Sequence, residues 1–102
     1  LHDIIETNIE NDDLNVEFLE KQMDISRATL NKKLKALTGD TAKDSILNYR
    51  LERAVKYLEQ DAGTITEIAA RLCFSDSSHF ARAFRKRYKC SPSDYKSNLE
   101  EK

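Results

Sequence analysis

The chain has 102 residues, a formal net charge of −1, two glycines and one proline. This length allows one ordinary domain or two very small ones. With 39% hydrophobic and 34% charged residues, so few chain breakers exclude a fold of many short strands and turns and favour amphipathic helices. We therefore expect an all-α fold.

The first 25 residues are strongly acidic, with eight acidic residues against Lys21. Their apolar spacing predicts a first helix from Leu1 to about Glu10. They contain neither a signal sequence nor an apolar run long enough to span a membrane. Since the chain begins without a methionine, we expect a soluble domain excised from a longer protein.

Two later stretches repeat one pattern. Apolar residues and a serine of the first copy recur 49 or 50 residues further on: Val16, Met23, Ile25 and Ser26 as Ile65, Leu72, Phe74 and Ser75, then Leu30 and Leu34 as Phe80 and Phe84. Each copy predicts a short helix, a tight turn and a second helix, which is the pattern of a helix-turn-helix. The second helices are expected over about 27–37 and 76–87, with the apolar side chains facing inward: Leu30, Leu34, Leu37, Phe80 and Phe84.

A long helix is expected between the copies, over 41–60. Thr41 and Asp44 form a capping pair at its start, Gly39 is suited to end the preceding helix, and apolar residues follow at helical spacing. The second copy opens with the capping pair Thr64 and Glu67.

A last short helix begins at Ser91 and Pro92, which completes seven helices. We divide the chain into an N-terminal helix with the first helix-turn-helix (1–40), the connecting helix (41–60), and the second helix-turn-helix with a C-terminal helix (61–102). Together these parts form one domain.

Basic residues are concentrated around the two second helices. Residues 26–60 carry eight basic against four acidic residues, and residues 76–96 carry six against two. This asymmetry, rather than the net charge, indicates a polyanionic partner. The two cysteines have no metal-binding spacing, and we expect no metal and no cofactor.

Two sequence runs resemble a known family. The run from Phe74 to Lys86 reads F-S-x-x-x-x-F-x-R-x-F-[KR]-[KR], and an S-P-x-x-Y spacing follows from Ser91 to Tyr95. With two helix-turn-helix copies and the connector in order, they closely resemble the DNA-binding domain of AraC/XylS-type transcription regulators over nearly the whole chain. The acidic lead-in is similar to output domains of response-regulator and hybrid two-component proteins. The resemblance implies sequence-specific binding of double-stranded DNA and regulation of transcription, without enzymatic activity.

Several residues depart from the family pattern. Cys73 and Lys89 stand where glycine is common, so a positive φ at either site would cost about 1 kcal/mol. Ala42 stands at a position where the family often has proline, shortly after the Leu-Thr-Gly run that ends at Gly39. Glu20 corresponds to Ala69 of the second copy, a small residue of the kind that lets the two helices approach, so Glu20 could tilt the first copy or turn its carboxylate toward solvent.

The resemblance also implies which residues touch DNA. The positions that meet base edges are Ala28, Asn31, Lys32, Ser77, Ser78, His79, Ala81 and Arg82. Asparagine suits adenine, lysine suits guanine, alanine reaches only a thymine methyl, and the fork of Arg82 suits guanine best. Phosphates are assigned to Ser26, Arg27, Lys33, Lys35, Ser75, Arg85 and Lys86, through side chains or through helix N-terminal amides.

The groove dimensions suggest how one chain reads two sites. A connecting helix of about 19 residues spans roughly 28 Å, close to the roughly 34 Å between successive major-groove segments on one face of the duplex. Since the two reading helices differ in sequence, the target is expected to be asymmetric.

Other interpretations carry less weight. A lone basic residue on a helix is most often only solvated, and His79 by itself is a surface histidine as readily as a groove contact. An enzyme needs titratable groups that converge in a pocket, and the two histidines lie far apart in the chain. The alternative that remains open is a helical protein-interaction module, which would be indifferent to DNA.

The family usually joins this domain to a sensor, receiver or effector domain, so such a domain is an expected partner, and RNA polymerase is a further candidate. No membrane contact is expected of the domain itself. The expected location is the bacterial cytoplasm, on the nucleoid, unless a hybrid sensor anchors the full-length protein in a membrane.

Overall fold

The computed structural model describes residues 2–100, which form seven α-helices and no strand. The helices are α1 (His2–Thr7), α2 (Val16–Met23), α3 (Arg27–Thr38), α4 (Ala42–Glu59), α5 (Ile65–Arg71), α6 (Ser77–Tyr88) and α7 (Pro92–Glu100). The predicted all-α fold with seven helices is confirmed. Within the described range, no helix combines the length and the apolar character needed to cross a membrane.

The chain divides into two compact units, Leu1–Arg50 and Leu51–Lys102. The boundary falls inside α4, so the N-terminal half of this helix belongs to the first unit and its C-terminal half to the second. Each unit contains one helix-turn-helix, formed by α2 and α3 or by α5 and α6.

The core of the first unit is aliphatic. Leu19 of α2 and both Leu30 and Leu34 of α3 are buried, so the two helices pack through the residues that the i, i+4 spacing predicted. Ile5 of α1 is equally buried. Arg50 of α4 donates hydrogen bonds to the backbone carbonyls of Ile9 (3.3 Å) and Asn11 (3.1 Å), which follow α1. These carbonyls lie outside any helix, so Arg50 supplies hydrogen bonds that no helix supplies.

The core of the second unit is aromatic. Phe80 and Phe84 of α6 are fully buried, and α6 packs against both α5 and α7. The centroid of the Phe84 ring lies 5.8 Å from that of Phe80, 4.7 Å from that of Tyr88 and 5.8 Å from that of Tyr95. These are favourable edge and tilted ring contacts.

The prediction that Leu37 faces inward is wrong, because its side chain is 71% exposed. Helix α2 has eight residues and α3 has twelve, and a three-residue turn joins them. Leu37 lies near the C-terminal end of α3, where helical spacing by itself does not bury a side chain. The equivalent residue of the second unit, Arg87, is exposed as well.

Both units use residues with positive φ at the same two places. Asp24 (φ 52°) and Cys73 (φ 66°) follow α2 and α5, and Gly39 (φ 82°) and Lys89 (φ 67°) end α3 and α6. The expected conformational cost at Cys73 and Lys89 therefore applies, since only glycine adopts this region freely.

Candidate nucleic-acid interface

Helix α3 begins with a serine cap, and its outer face is exposed. The Ser26 hydroxyl accepts a hydrogen bond from the Thr29 amide at 3.3 Å, which satisfies one of the first unpaired amides of the helix. The residues of the predicted interface on this helix that are exposed are Ser26, Arg27, Ala28, Lys32, Lys33 and Lys35. Ala28, Lys32 and Lys35 lie opposite the buried Leu30 and Leu34, whereas Arg27 and Lys33 lie on the two flanks of α3.

Arg27 is already engaged by an acidic residue of α2. Its Nε donates a hydrogen bond of 2.7 Å to Oε1 of Glu20, and this hydrogen bond, followed by the charge of the carboxylate, raises the pKa of Arg27. Glu20 thus avoids the crowded contact between the helices by placing its carboxylate at the start of α3. Since Arg27 was predicted to contact phosphate, a neighbouring carboxylate competes for the same guanidinium.

Asn31 differs from its neighbours on α3 because it is half-buried. Its Oδ1 accepts a hydrogen bond of 2.9 Å from the backbone N–H of Ala42, the first residue of α4. The amide oxygen of a predicted base-reading residue is therefore bound by the protein itself.

Helix α6 begins with an aspartate cap rather than with Ser75. Oδ1 of Asp76 accepts a hydrogen bond of 2.7 Å from the His79 amide. The Ser75 hydroxyl lies 3.3 Å from Nδ1 of His79, and the imidazole packs edge-on to the Phe74 ring at 5.4 Å between centroids. His79 is therefore held at the start of α6, where the Asp76 carboxylate already accepts the N–H of His79, one of the helix N-terminal amides that were expected to bind phosphate.

The remaining outer face of α6 is exposed and basic. Its exposed residues from the predicted interface are Ser77, Ser78, His79, Arg82, Arg85 and Lys86, whereas Ala81 is half-buried. Within residues 2–100, the side chain of Arg82 enters no ion pair, so its guanidinium is available to a ligand. Arg87, by contrast, binds Oε1 of Glu52 at 2.8 Å.

Each helix-turn-helix brings only part of its predicted residues together on one exposed face, since Asn31 and Ala81 are half-buried and Arg27 is bound by Glu20. In the first unit that face carries Lys32 and Lys35, with Lys33 to one side, and in the second it carries Arg82, Arg85 and Lys86. The acidic partners Glu20 and Asp76 were missed as parts of the sites. Asp76 had a recognisable sequence signal, since an aspartate directly before a helical run is a preferred cap. Glu20 had no such sequence signal, because it lies on α2 and contacts Arg27 on the other side of the turn, at the start of α3.

The sequence matches the profile of a family described as a helix-turn-helix domain over residues 19–98. Among curated proteins it is 32% identical over 98 residues to Histidine kinase P4 of Formosa agariphila, covering 96% of this chain and 7% of the kinase. It is 36% identical over 83 residues to the HTH-type transcriptional activator RhaS of Escherichia coli, covering 81% of this chain and 30% of the activator. The chain therefore spans less than a third of either relative.

Solved structures show the same fold. An AraC-type transcriptional regulator from Chromobacterium violaceum superposes with a TM-score of 0.87 at 26% identity, covering 95% of this chain and 86% of that one. The DNA-binding domain of the transcriptional factor AdpA, in complex with a target DNA, superposes with a TM-score of 0.83 at 25% identity, again covering 95% and 86%.

Proposed function

The chain belongs to the AraC-type family of helix-turn-helix transcription regulators, and we propose that its two units read the two elements of one asymmetric DNA site. Binding of DNA and regulation of transcription, not enzymatic catalysis, are the function of this domain.

The observation that carries the proposal is the exposed basic face on the second helix of each helix-turn-helix. This helix is the one that enters the major groove in such motifs, with its N-terminal residues against base edges. Lys32 and Ala28 of α3 are exposed there, as are Arg82 and His79 of α6. Lys32 and Arg82 can donate hydrogen bonds to the acceptor atoms of guanine, and Ala28 can contact the methyl group of thymine.

Phosphate contacts are proposed for exposed cations that bind no carboxylate among the described residues. Lys33, Lys35, Arg85 and Lys86 meet this condition better than Arg27, because Glu20 binds Arg27 at 2.7 Å. Such contacts fix the register of a protein on the duplex without selecting the sequence.

The activity of the full-length protein is part of the proposal. The histidine kinase relative supports an output domain joined to sensor or receiver domains, and the relative named as an activator supports contact with RNA polymerase at a promoter. Because its ligand is chromosomal DNA, the domain would act in the bacterial cytoplasm, whether or not the sensor is anchored in a membrane.

The test is selection from a random duplex library at about physiological salt, followed by titration of the winning sequence against salt. We expect two unlike sequence elements. Lys32→Ala should relax the preference in one element and Arg82→Ala in the other, each by about 1 to 3 kcal/mol.

Lys86→Ala should weaken binding to all sequences alike and reduce the salt slope by about one. Arg87→Ala is the matched control, since Arg87 lies one residue further along α6 but is paired with Glu52, and it should leave that slope unchanged. If Lys32→Ala and Arg82→Ala weaken every sequence equally, the assigned roles are wrong. If the chain binds no DNA even at low salt, a protein-interaction role replaces the proposal.

A further inference from the structure

Asn31 lies on the reading helix of the first unit but is directed toward the protein. It is half-buried, whereas Ala28 and Lys32 beside it are exposed. Its Oδ1 accepts the Ala42 N–H at 2.9 Å, and Ala42 is only 1% exposed. The first amides of a helix have no partner within the helix, and a buried N–H requires one. Asn31 therefore satisfies the first amide of α4.

The second unit has neither member of this pair. Fifty residues on, Asn31 corresponds to Ala81 and Ala42 corresponds to Pro92, which begins α7 as Ala42 begins α4. Proline has no N–H to donate and alanine has no side-chain acceptor. The donor and the acceptor are thus present together in one unit and absent together in the other, while Ala81 is half-buried like Asn31. This is the pattern expected if the hydrogen bond, rather than contact with DNA, decides the residue at this position.

We infer that Asn31 is a positioning residue that holds α3 against the start of α4, and that it does not read a base. The inference rests on the proposed function, in which α3 lies in a major groove. An asparagine that reads adenine bidentately uses both its amide oxygen and its amide nitrogen. Here the oxygen is committed to Ala42, so recognition in the first element falls to Lys32 and Ala28.

The inference predicts a gain of specificity from a single change. Ala42→Pro removes the donor and reproduces the arrangement of Pro92, and proline is well tolerated at the first position of a helix. It frees the Asn31 amide to rotate toward the groove. Library selection with this variant should show a new adenine preference in the first element, of about five- to a hundredfold.

Two further selections identify the residue responsible. Asn31→Ala alone should retain the base preferences of the unchanged chain, because the side chain reads none. The double variant Asn31→Ala with Ala42→Pro should lose the adenine preference gained by Ala42→Pro. If Asn31→Ala alone abolishes an adenine preference, or if Ala42→Pro gains none, the inference is overturned.

A double-mutant cycle in urea tests the hydrogen bond without DNA. Asn31→Ala should raise the unfolding equilibrium constant about five- to a hundredfold, because it leaves a buried N–H without a partner, and should change it little when Ala42 is already proline. Lys32→Ala is the matched control, and its effect should be the same in both backgrounds. Equal effects of Asn31→Ala in both backgrounds would refute the positioning role. If the unchanged chain selects no DNA sequence, the proposed function fails, while this cycle still decides what Asn31 does.

Discussion

The two units meet the same geometric requirements with different chemistry. After the first helix of each motif the backbone needs a positive φ, adopted by Asp24 in one unit and by Cys73 in the other. The second helix is capped by Ser26 in one unit and by Asp76 in the other. The difference teaches that the backbone plan of a helix-turn-helix tolerates several residue types, provided that each supplies the required acceptor or conformation.

The cores of the two units differ most, and this difference gives the largest expected effect. Phe84→Ala should lower the free energy of unfolding by about 3 to 5 kcal/mol, because the buried ring contacts Phe80, Tyr88 and Tyr95. Urea denaturation followed by circular dichroism measures this loss. Phe84→Leu, which installs the residue type of the equivalent Leu34, should lower the free energy of unfolding clearly less than Phe84→Ala does, because leucine fills more of the space left by the ring. Equal losses would show that filled volume is not what stabilises this core.

Substitutions at the C-terminal caps of α3 and α6 should change the stability in opposite directions. Lys89 and Gly39 are equivalent residues with φ of 67° and 82°. Lys89→Gly should stabilise the chain by about 1 kcal/mol and Gly39→Ala should destabilise it by about the same amount. A Cβ at Gly39 would meet no atom within 4 Å, so the effect there is conformational. Thermal unfolding measures both changes, and Lys89→Ala, which keeps the strain, should be nearly neutral. The same sign for both exchanges would contradict the interpretation.

The ion pair between Glu20 and Arg27 has no counterpart at Ala69 of the second unit. Glu20→Ala, which copies that residue, should free Arg27 for phosphate, tighten DNA binding up to severalfold and steepen the salt dependence by about one contact. Fluorescence anisotropy with a labelled duplex at several salt concentrations measures this change. Glu17→Ala removes the same charge from the same helix without breaking the 2.7 Å contact. If both variants change the salt slope equally, the pairing with Arg27 is irrelevant.

The smallest expected effect concerns the caps of α2 and α5. Hydrogen bonds from the Thr64 backbone N–H and then from its hydroxyl lower the pKa of Glu67. A carboxyl group whose pKa is lowered on folding stabilises the folded state at pH values above its pKa in the unfolded state, near 4.5. This stabilisation is lost as the pH falls through the pKa of the folded state. Glu67→Gln should therefore weaken the acid dependence of stability in that range, as urea midpoints at several pH values would show.

The first unit offers the reciprocal change, because α2 is capped by Asn15, which does not titrate. Asn15→Asp should make stability more dependent on pH in the same acidic range. An unchanged pH profile for Glu67→Gln would mean that the capping hydrogen bonds do not distinguish the ionised carboxylate.

Much of the fold was predictable because it depends on local spacing. Leu30 with Leu34 and Phe80 with Phe84 lie four residues apart, and this spacing alone places them on one buried face. Leu37 has the same periodicity but is exposed, because periodicity gives the direction of a side chain and not whether a partner helix extends far enough to cover it. The α4 cap at Thr41 and the α5 cap at Thr64 were likewise readable from short motifs.

The site was predictable in its location and less so in its members. The basic outer faces of α3 and α6 follow from the charge pattern and the family resemblance. The partners of individual residues do not, because Asn31 meets Ala42 eleven residues away and Arg87 meets Glu52 across 35 residues. A basic residue that is free and one that is paired look alike in sequence.

The sequence by itself determined the helical class, the duplication, the family and the caps at Gly39, Thr41 and Thr64, since these depend on residue types at fixed short spacings. Only the tertiary structure decided that Glu20 holds Arg27, that Asn31 is turned toward Ala42 and that Arg87 binds Glu52 whereas Arg82 enters no ion pair within residues 2–100. The physical reason is that hydrogen bonds and ion pairs form between groups that folding brings within about 3 Å, and separation along the chain does not specify that distance.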